Sequence, residues 1–353
     1  MSIKVTNFGK TKDGKEVTMY TMKNVHGMEV SVIDLGACIT SILVPDRDGK
    51  MADVVLGYDN VEGYEKNKPH FGGFIGRVGN RIGDAKFTLN GKEYVLEQNN
   101  GKNNLHGGFV GYEKLFYDTE YFEEDGVCTV EFSRLSPDGE QGFPGNLDVT
   151  CSYSLTDDNE LMIEYFATSD QDTLCNLTNH SYFNLAGHNS GNALAQEVRV
   201  DADYYTATTD DLIPTGELTA VEGTPLDLRV RKPIGKDIHA DYEALKQGGG
   251  YDQNFCVGSS KTDVLTLVAE LYDPASGRKM EVFSQLPGLQ FYSGNGINET
   301  ENCKEGATYG KNDGVCFETQ YYPNACNIDS FEGYTLKAGE EYDCATIYKF
   351  SVE

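Results

Sequence analysis

Apolar and polar residues alternate along this chain far more often than they recur at helical spacing. Phe87-Thr-Leu-Asn90-Gly91-Lys-Glu-Tyr-Val-Leu96 alternates around an Asn-Gly pair. That dipeptide supplies the two left-handed residues of a tight turn, so the segment predicts a β-hairpin. The apolar run Cys38 to Val44 leads into Asp46-Arg47-Asp48-Gly49, a second predicted turn. Strand-like runs follow at Cys128–Leu135, Leu147–Leu155, Glu160–Thr168, Val264–Tyr272, Lys279–Leu286, Gly288–Tyr292, Val315–Gln320 and Tyr342–Val352. Helical spacing is confined to Asn60–Glu65 and Asp241–Lys246. No strand–helix alternation supports a doubly wound parallel fold. No fixed-period repeat, low-complexity tract or Pro/Ser-rich linker divides the chain. The pattern predicts an all-β fold: one large antiparallel domain over residues 1–353, two broad packed sheets and few short helices.

Composition sharpens this picture. The 39 Gly and 22 Tyr suit many strands joined by tight turns, and Trp is absent. With 39% hydrophobic and 24% charged residues, neither a disordered chain nor a coiled coil fits. A length of 353 residues suggests two domains at about 150 residues each, but β-sandwiches can run to about 250 as one. Lys and Arg number 29 against 56 Asp and Glu, a formal net charge of −27. No basic footprint for nucleic acid is present, and an anionic membrane surface would repel the chain. The ordinary reading of the charge is solubility.

The nine cysteines are scattered and form no C-x-x-C, which predicts reduced thiols, mostly small core residues, in a reducing compartment. Met1–Lys15 has no apolar leader core, and no run approaches about 18 apolar residues. The expected location is the cytoplasm. The expected partner is a small molecule, and the sequence leaves monomer and homodimer equally open.

Several chemistries lack their signature: there is no P-loop, no G-x-G-x-x-G opening a helix, no H-E-x-x-H, no EF-hand loop and no G-x-S-x-G. His26, His70, His106, His180, His188 and His239 form no close pair in sequence, so no metal is expected. What stands out is a series of dense polar segments. Gly76-Arg77-Val-Gly79-Asn80-Arg81 sets two Arg and an Asn among glycines. Asn103-Asn104-Leu-His106-Gly107-Gly108 places a ring on a turn. Asn176 to Gly187 surrounds His180 with Asn, Thr, Ser and Tyr; if extended, His180, Tyr182 and Asn184 share a face. Gly249-Gly250-Tyr251-Asp252-Gln253 suits a loop capping a ligand. Pro287-Gly288-Leu-Gln290-Phe291-Tyr292 and Phe317-Glu318-Thr-Gln320 complete the series. Each alone reads equally as a turn, a surface ion pair or a solvated strand face. Together they offer an acid, a base and many hydroxyl-binding groups. That inventory suits a neutral polyol such as a sugar.

These six segments, in this order and spacing, resemble the aldose 1-epimerases, or galactose mutarotases, over essentially the whole chain. The resemblance implies a β-supersandwich and interconversion of the α and β anomers of free aldohexoses such as galactose and glucose. It implies His180 as general acid and Glu318 as general base. It implies sugar contacts from Asn80, Arg81, His106, Tyr182, Asp252 and Gln290, with Arg81 rather than Arg77 as the binding arginine. Two departures are visible. The family's Asp-Lys-x-x-Trp-like stretch reads Glu113-Lys114-Leu-Phe116, with Phe116 expected to fill the apolar role of the Trp. After Gln320 the chain reads Tyr321-Tyr322-Pro323 where the family often has His or a related residue.

Mutarotation opens and recloses the sugar ring by proton transfers, so no cofactor is expected. At unperturbed values of about 6.5 for His and about 4.3 for Glu, His180 would start charged and Glu318 anionic. Two alternatives remain: a hexose-6-phosphate mutarotase drawing on Arg77 and Arg81, and a non-catalytic sugar-binding β-sandwich. A glycoside hydrolase is a poorer fit, because those enzymes generally use two carboxylates.

Overall fold

The computed structural model describes residues 1–258 and 264–353. Three sheets dominate, and every strand pair among the described residues is antiparallel. The largest has nine strands, in the spatial order Asp118–Glu124, Val127–Ser136, Leu147–Thr156, Glu160–Ser169, Glu341–Val352, Arg278–Ser284, Thr266–Tyr272, Glu197–Val200 and Lys232–Pro233. Its strands bury alternate residues. Leu147, Val149, Cys151 and Tyr153 face the core from one strand, and Leu161, Ile163, Tyr165 and Ala167 from the next. Each such large apolar side chain contributes roughly 1.5–3 kcal/mol on burial.

A second sheet pairs Ser2–Lys10, Glu16–Lys23, Glu29–Ile33, Cys38–Pro45 and Met51–Asp53 in chain order. The buried Tyr153 hydroxyl donates to the Ala37 carbonyl at 2.6 Å, tying this sheet to the large one. The third sheet runs Pro214–Ala220, Tyr204–Thr208, Asp252–Cys256, Gly288–Tyr292 and Cys316–Gln320. It positions the candidate site.

The two α-helices are Val61–Lys66 and Glu243–Gly248, within two residues of the predicted stretches. Asn60 caps the first, its side chain accepting the Gly63 N–H at 3.1 Å. The predicted hairpin pairs Lys86–Leu89 with Lys92–Val95, and Asn90 (φ 52°) and Gly91 (φ 76°) occupy the left-handed region, as a two-residue turn requires. The nine cysteines are free thiols, seven of them buried. Among the described residues no helix is long and apolar enough to cross a membrane.

Some strands left no pattern to read. Ser2–Lys10 and Asp118–Glu124 are mostly exposed edge strands, so neither face selects for apolar residues. Charged, polar edges are the usual guard against pairing between molecules. The segment around Asp252, expected as a loop, is instead the start of the strand Asp252–Cys256.

Candidate active site

Sheet register assembles three of the site residues. Gln290 stands opposite both Asn254 and Glu318, and Tyr292 opposite both Asp252 and Cys316. Side chains alternate along a strand, so Asp252, Gln290, Tyr292, Cys316 and Glu318 share one face. The intervening Leu289, Phe291 and Phe317 enter the core behind it, with the Phe291 and Phe317 rings 5.2 Å apart. A hydrophobic strand thus presents one carboxylate to a cavity because its neighbours anchor the other face. Gly288 keeps the strands close: a Cβ there would fall 2.5 Å from Asn254 Oδ1 and 2.9 Å from the Gln320 carbonyl.

His180 ends the short strand Thr178–His180, which pairs with Gly73–Ile75. Its ring stacks on Tyr182, centroids 5.0 Å apart, and Tyr182 in turn meets Phe71 edge-on at 5.1 Å. The other face of the cavity comes from Arg81–Ile82 paired with Asn104–Leu105. Here two sequence segments lock together. His106 N–H donates to the Asn80 carbonyl at 3.0 Å, and Asn80 N–H donates to His106 Nδ1 at 3.1 Å. That second bond fixes the tautomer of the neutral ring: the proton sits on Nε2, which is left to donate. Asn80 (φ 61°) and His106 (φ 52°) both hold left-handed backbone, which Asn and His adopt more readily than most non-glycine residues.

The result is a cavity of about 330 Å³ lined by Asn80, Arg81, His106, His180, Tyr182, Asp252, Gln290 and Glu318, together with Lys68, His70, Tyr292 and Glu299. All eight residues named from the sequence meet there. Gln290 donates from Nε2 to Asp252 Oδ1 at 2.6 Å, and Arg81 Nη2 lies 3.8 Å from Asp252 Oδ2. His180 Nε2 is 3.7 Å from Glu318 Oε1, and Glu318 Oε2 is buried with no partner. His180 Nδ1 lies 3.5 Å from the Cys316 thiol.

Burial controls the charges. Desolvation, then the nearby Asp252 carboxylate, pushes Glu318 up to about 8, with Arg81 opposing. Desolvation, then His70, pushes His180 down to about 3. Burial also lowers His106 and raises Asp252. Burial thus favours the protonated form of Glu318 and the neutral form of His180. This corrects the charges expected from unperturbed values. The total proton count is unchanged, so a single transfer across the pair gives the expected His180 cation and Glu318 anion.

Other expectations change as well. Asn184 shares no face with the site: it is fully buried and donates to the Gly191 and Asp313 carbonyls, both at 2.8 Å. Arg77 is 2% exposed, its guanidinium bonded to the Pro144 and Ser136 carbonyls and the Ser136 hydroxyl, so it holds the fold and reaches no ligand. Phe116 lies outside the cavity with Lys15 Nζ 3.5 Å above its ring, and Tyr321 and Tyr322 do not line it either. Although no histidines are close in sequence, the fold brings ligand atoms of His106, His180 and Glu318 within 4.8 Å of one another. The Asn80 N–H occupies His106 Nδ1 and leaves the proton on Nε2, so His106 has no free lone pair for a metal. The set is arranged to exchange hydrogen bonds with hydroxyls. His70, Lys68 and Tyr292 were missed. Tyr292 was legible in its motif, two residues from Gln290 and so on the same strand face.

A profile of the aldose 1-epimerase family matches residues 18–349. The chain is 46% identical to the galactose mutarotase of Bos taurus, over 92% of each chain, and 45% identical to that of Homo sapiens over the same shares. It is 34% identical to the aldose 1-epimerase of Escherichia coli over 97% of each. Among solved structures, galactose 1-epimerase from Lactobacillus acidophilus superimposes with a TM-score of 0.86 at 27% identity, covering 99% of both chains. The aldose epimerase homologue from C. elegans gives 0.85 at 28%, covering 94% of this chain and 98% of its own. The family match and the curated relatives, on this fold, define an isomerase acting on aldoses. The chain belongs to the aldose 1-epimerase family.

Proposed function

We propose that this protein interconverts the α and β anomers of free aldohexoses such as galactose and glucose, with Glu318 and His180 moving the protons. The observation that carries the reading is the buried pair itself, 3.7 Å apart on the floor of a sugar-sized cavity walled by hydroxyl-binding groups. With the shared proton on His180, Glu318 takes the proton of the C1 hydroxyl while His180 gives its own to the ring oxygen O5. The C1–O5 bond breaks, and the open-chain aldehyde forms. Rotation about C1–C2 presents the other carbonyl face. The same transfers in reverse close the ring as the other anomer and return the pair to its starting state. Positioned groups of this kind typically contribute about 10²–10⁴-fold in rate.

Asn80, Arg81, His106, Tyr182, Asp252 and Gln290 hold the remaining hydroxyls. Arg81 and the His106 Nε2–H donate; the Asp252 carboxyl accepts. The nine free thiols suit a reducing compartment such as the cytoplasm. The phosphosugar alternative loses Arg77 to the fold interior, so of the two arginines it draws on only Arg81 reaches the cavity. A purely binding protein would have no use for a desolvated acid–base pair. Polarimetry of freshly dissolved α-D-galactose and α-D-glucose tests the reading against the spontaneous rate. Acceleration that is lost in Glu318→Gln supports it; no acceleration of either sugar removes it.

A further inference from the structure

His70 lines the cavity, yet the reaction above gives it no task. Its ring meets His106 edge-on, centroids 5.0 Å apart, and lies tilted against His180 at 5.6 Å. Nδ1 sits 3.0 Å from Glu113 Oε1. Glu113 is fully buried and tightly cradled. A Cβ on Gly111 would fall 2.3 Å from its Oε2, and one on Gly73 2.6 Å from its Cβ. Apart from His70, its carboxylate has Lys114 Nζ at 3.9 Å, and Oε2 is unpartnered. Enclosing a carboxylate costs several kcal/mol of lost hydration, so a site that keeps one needs it for something. What it does here is accept the Nδ1–H of His70. That fixes the ring and leaves Nε2 as its remaining hydrogen-bonding atom in a cavity-lining side chain.

The cavity also has two electrostatic ends. Glu318 lies in the field of Asp252 and Arg81 and His180 in that of His70, with His106 between them in the fields of both His70 and Arg81. If C1 is at Glu318 and O5 at His180, the ring continues past O5 to C5 and its hydroxymethyl group, toward the His70 end. We propose that His70, oriented by Glu113, is a specificity-determining residue that hydrogen-bonds the C6 hydroxyl of the sugar. The assignment rests on the acid–base reading of His180 and Glu318, which sets the direction of the ring.

The test is a cycle between protein and substrate. D-Galactose and its 6-deoxy form, D-fucose, differ only in O6. Wild-type protein should show kcat/KM for D-galactose about tenfold above that for D-fucose, the size of one hydrogen bond at about 1.4 kcal/mol. His70→Phe keeps a ring against His106 and His180 but cannot bond O6. It should bring D-galactose down to the D-fucose value and leave D-fucose within about twofold of wild type. His70→Gln, which keeps a hydrogen-bonding end, should restore part of the ratio, and it serves as the folded variant if the Phe substitution fails to fold. Equal losses for both sugars in His70→Phe would overturn the proposal in favour of a packing role. A wild-type ratio near one would overturn it outright, with the acid–base reading intact. Failure of wild-type protein to turn over either sugar would remove both.

Discussion

Glu318 carries an unpartnered oxygen in the floor of a polar cavity, where a stable protein would ordinarily place an amide or an apolar group. Two consequences follow at this scale. Glu318→Gln should lower kcat/KM for mutarotation by about 10²–10⁴-fold, as should His180→Asn, each with an unchanged circular dichroism spectrum. Glu318→Gln should also stabilise the fold in alkali. The folded chain holds the Glu318 proton up to about 8, against 4.5 for the free group. Its contribution to stability is therefore fully present below 4.5 and lost as pH rises through about 8. Thermal melts at pH 6 and pH 9 should show the Gln variant gaining a few degrees on wild type at the higher pH. The two arginines of one motif should separate cleanly. Arg77→Lys abandons several buried carbonyls and should lower Tm, at a cost of about 1–3 kcal/mol. Arg81→Lys should raise KM for sugar and leave Tm within a degree or two. The difference between these arginines was not written in their neighbours, since both sit among glycines. It lies in the carbonyls of residues 136, 144 and 145, which only the fold brings to Arg77. His70 was illegible for the same reason. It follows the charged run Glu65-Lys66-Asn67-Lys68, which reads as an exposed turn, and gains meaning only from Glu113, 43 residues away.

Among the elements, strands that bury one face were legible and edge strands were not. Leu147–Thr156 and Glu160–Ser169 start at their predicted residues and extend one residue beyond them, because their apolar alternation is set by the core. Ser2–Lys10 went unread because no buried face constrains its sequence. The site strands fall between these cases. Cys316–Gln320 has every residue buried, but Glu318 faces a polar cavity while Phe317 and Thr319 face inward. Its alternation is legible only to a reader who accepts a buried Glu. The close pairing of these strands gives a prediction of its own. Gly288→Ala would drive a methyl against Asn254 Oδ1 and the Gln320 carbonyl, parting the strands that carry Gln290 and Glu318. Both Tm and kcat/KM should fall, the latter by at least about tenfold. Gly91→Ala, at a turn with open space around it, should cost about 1 kcal/mol and leave kcat unchanged.

On the scale of the whole molecule, a net charge of −27 sets an unfavourable field against anionic substrates. Glucose 6-phosphate should be turned over with kcat/KM at least about tenfold below glucose, with the gap narrowing as salt screens the field. The central claim is that one proton, shared by two buried groups, is what the fold delivers to the sugar. Its most direct test is the pH dependence of kcat/KM for α-D-galactose mutarotation, followed by polarimetry against a buffer blank. Kinetics of this kind read the free enzyme's macroscopic ionisations. The singly protonated pair spans the interval between about 3 and about 8, so the rate should be level through neutrality and fall as pH rises through about 8. A narrow optimum between about 4.3 and about 6.5, the window of an unperturbed Glu and His, would contradict it, as would a rate that climbs through pH 8.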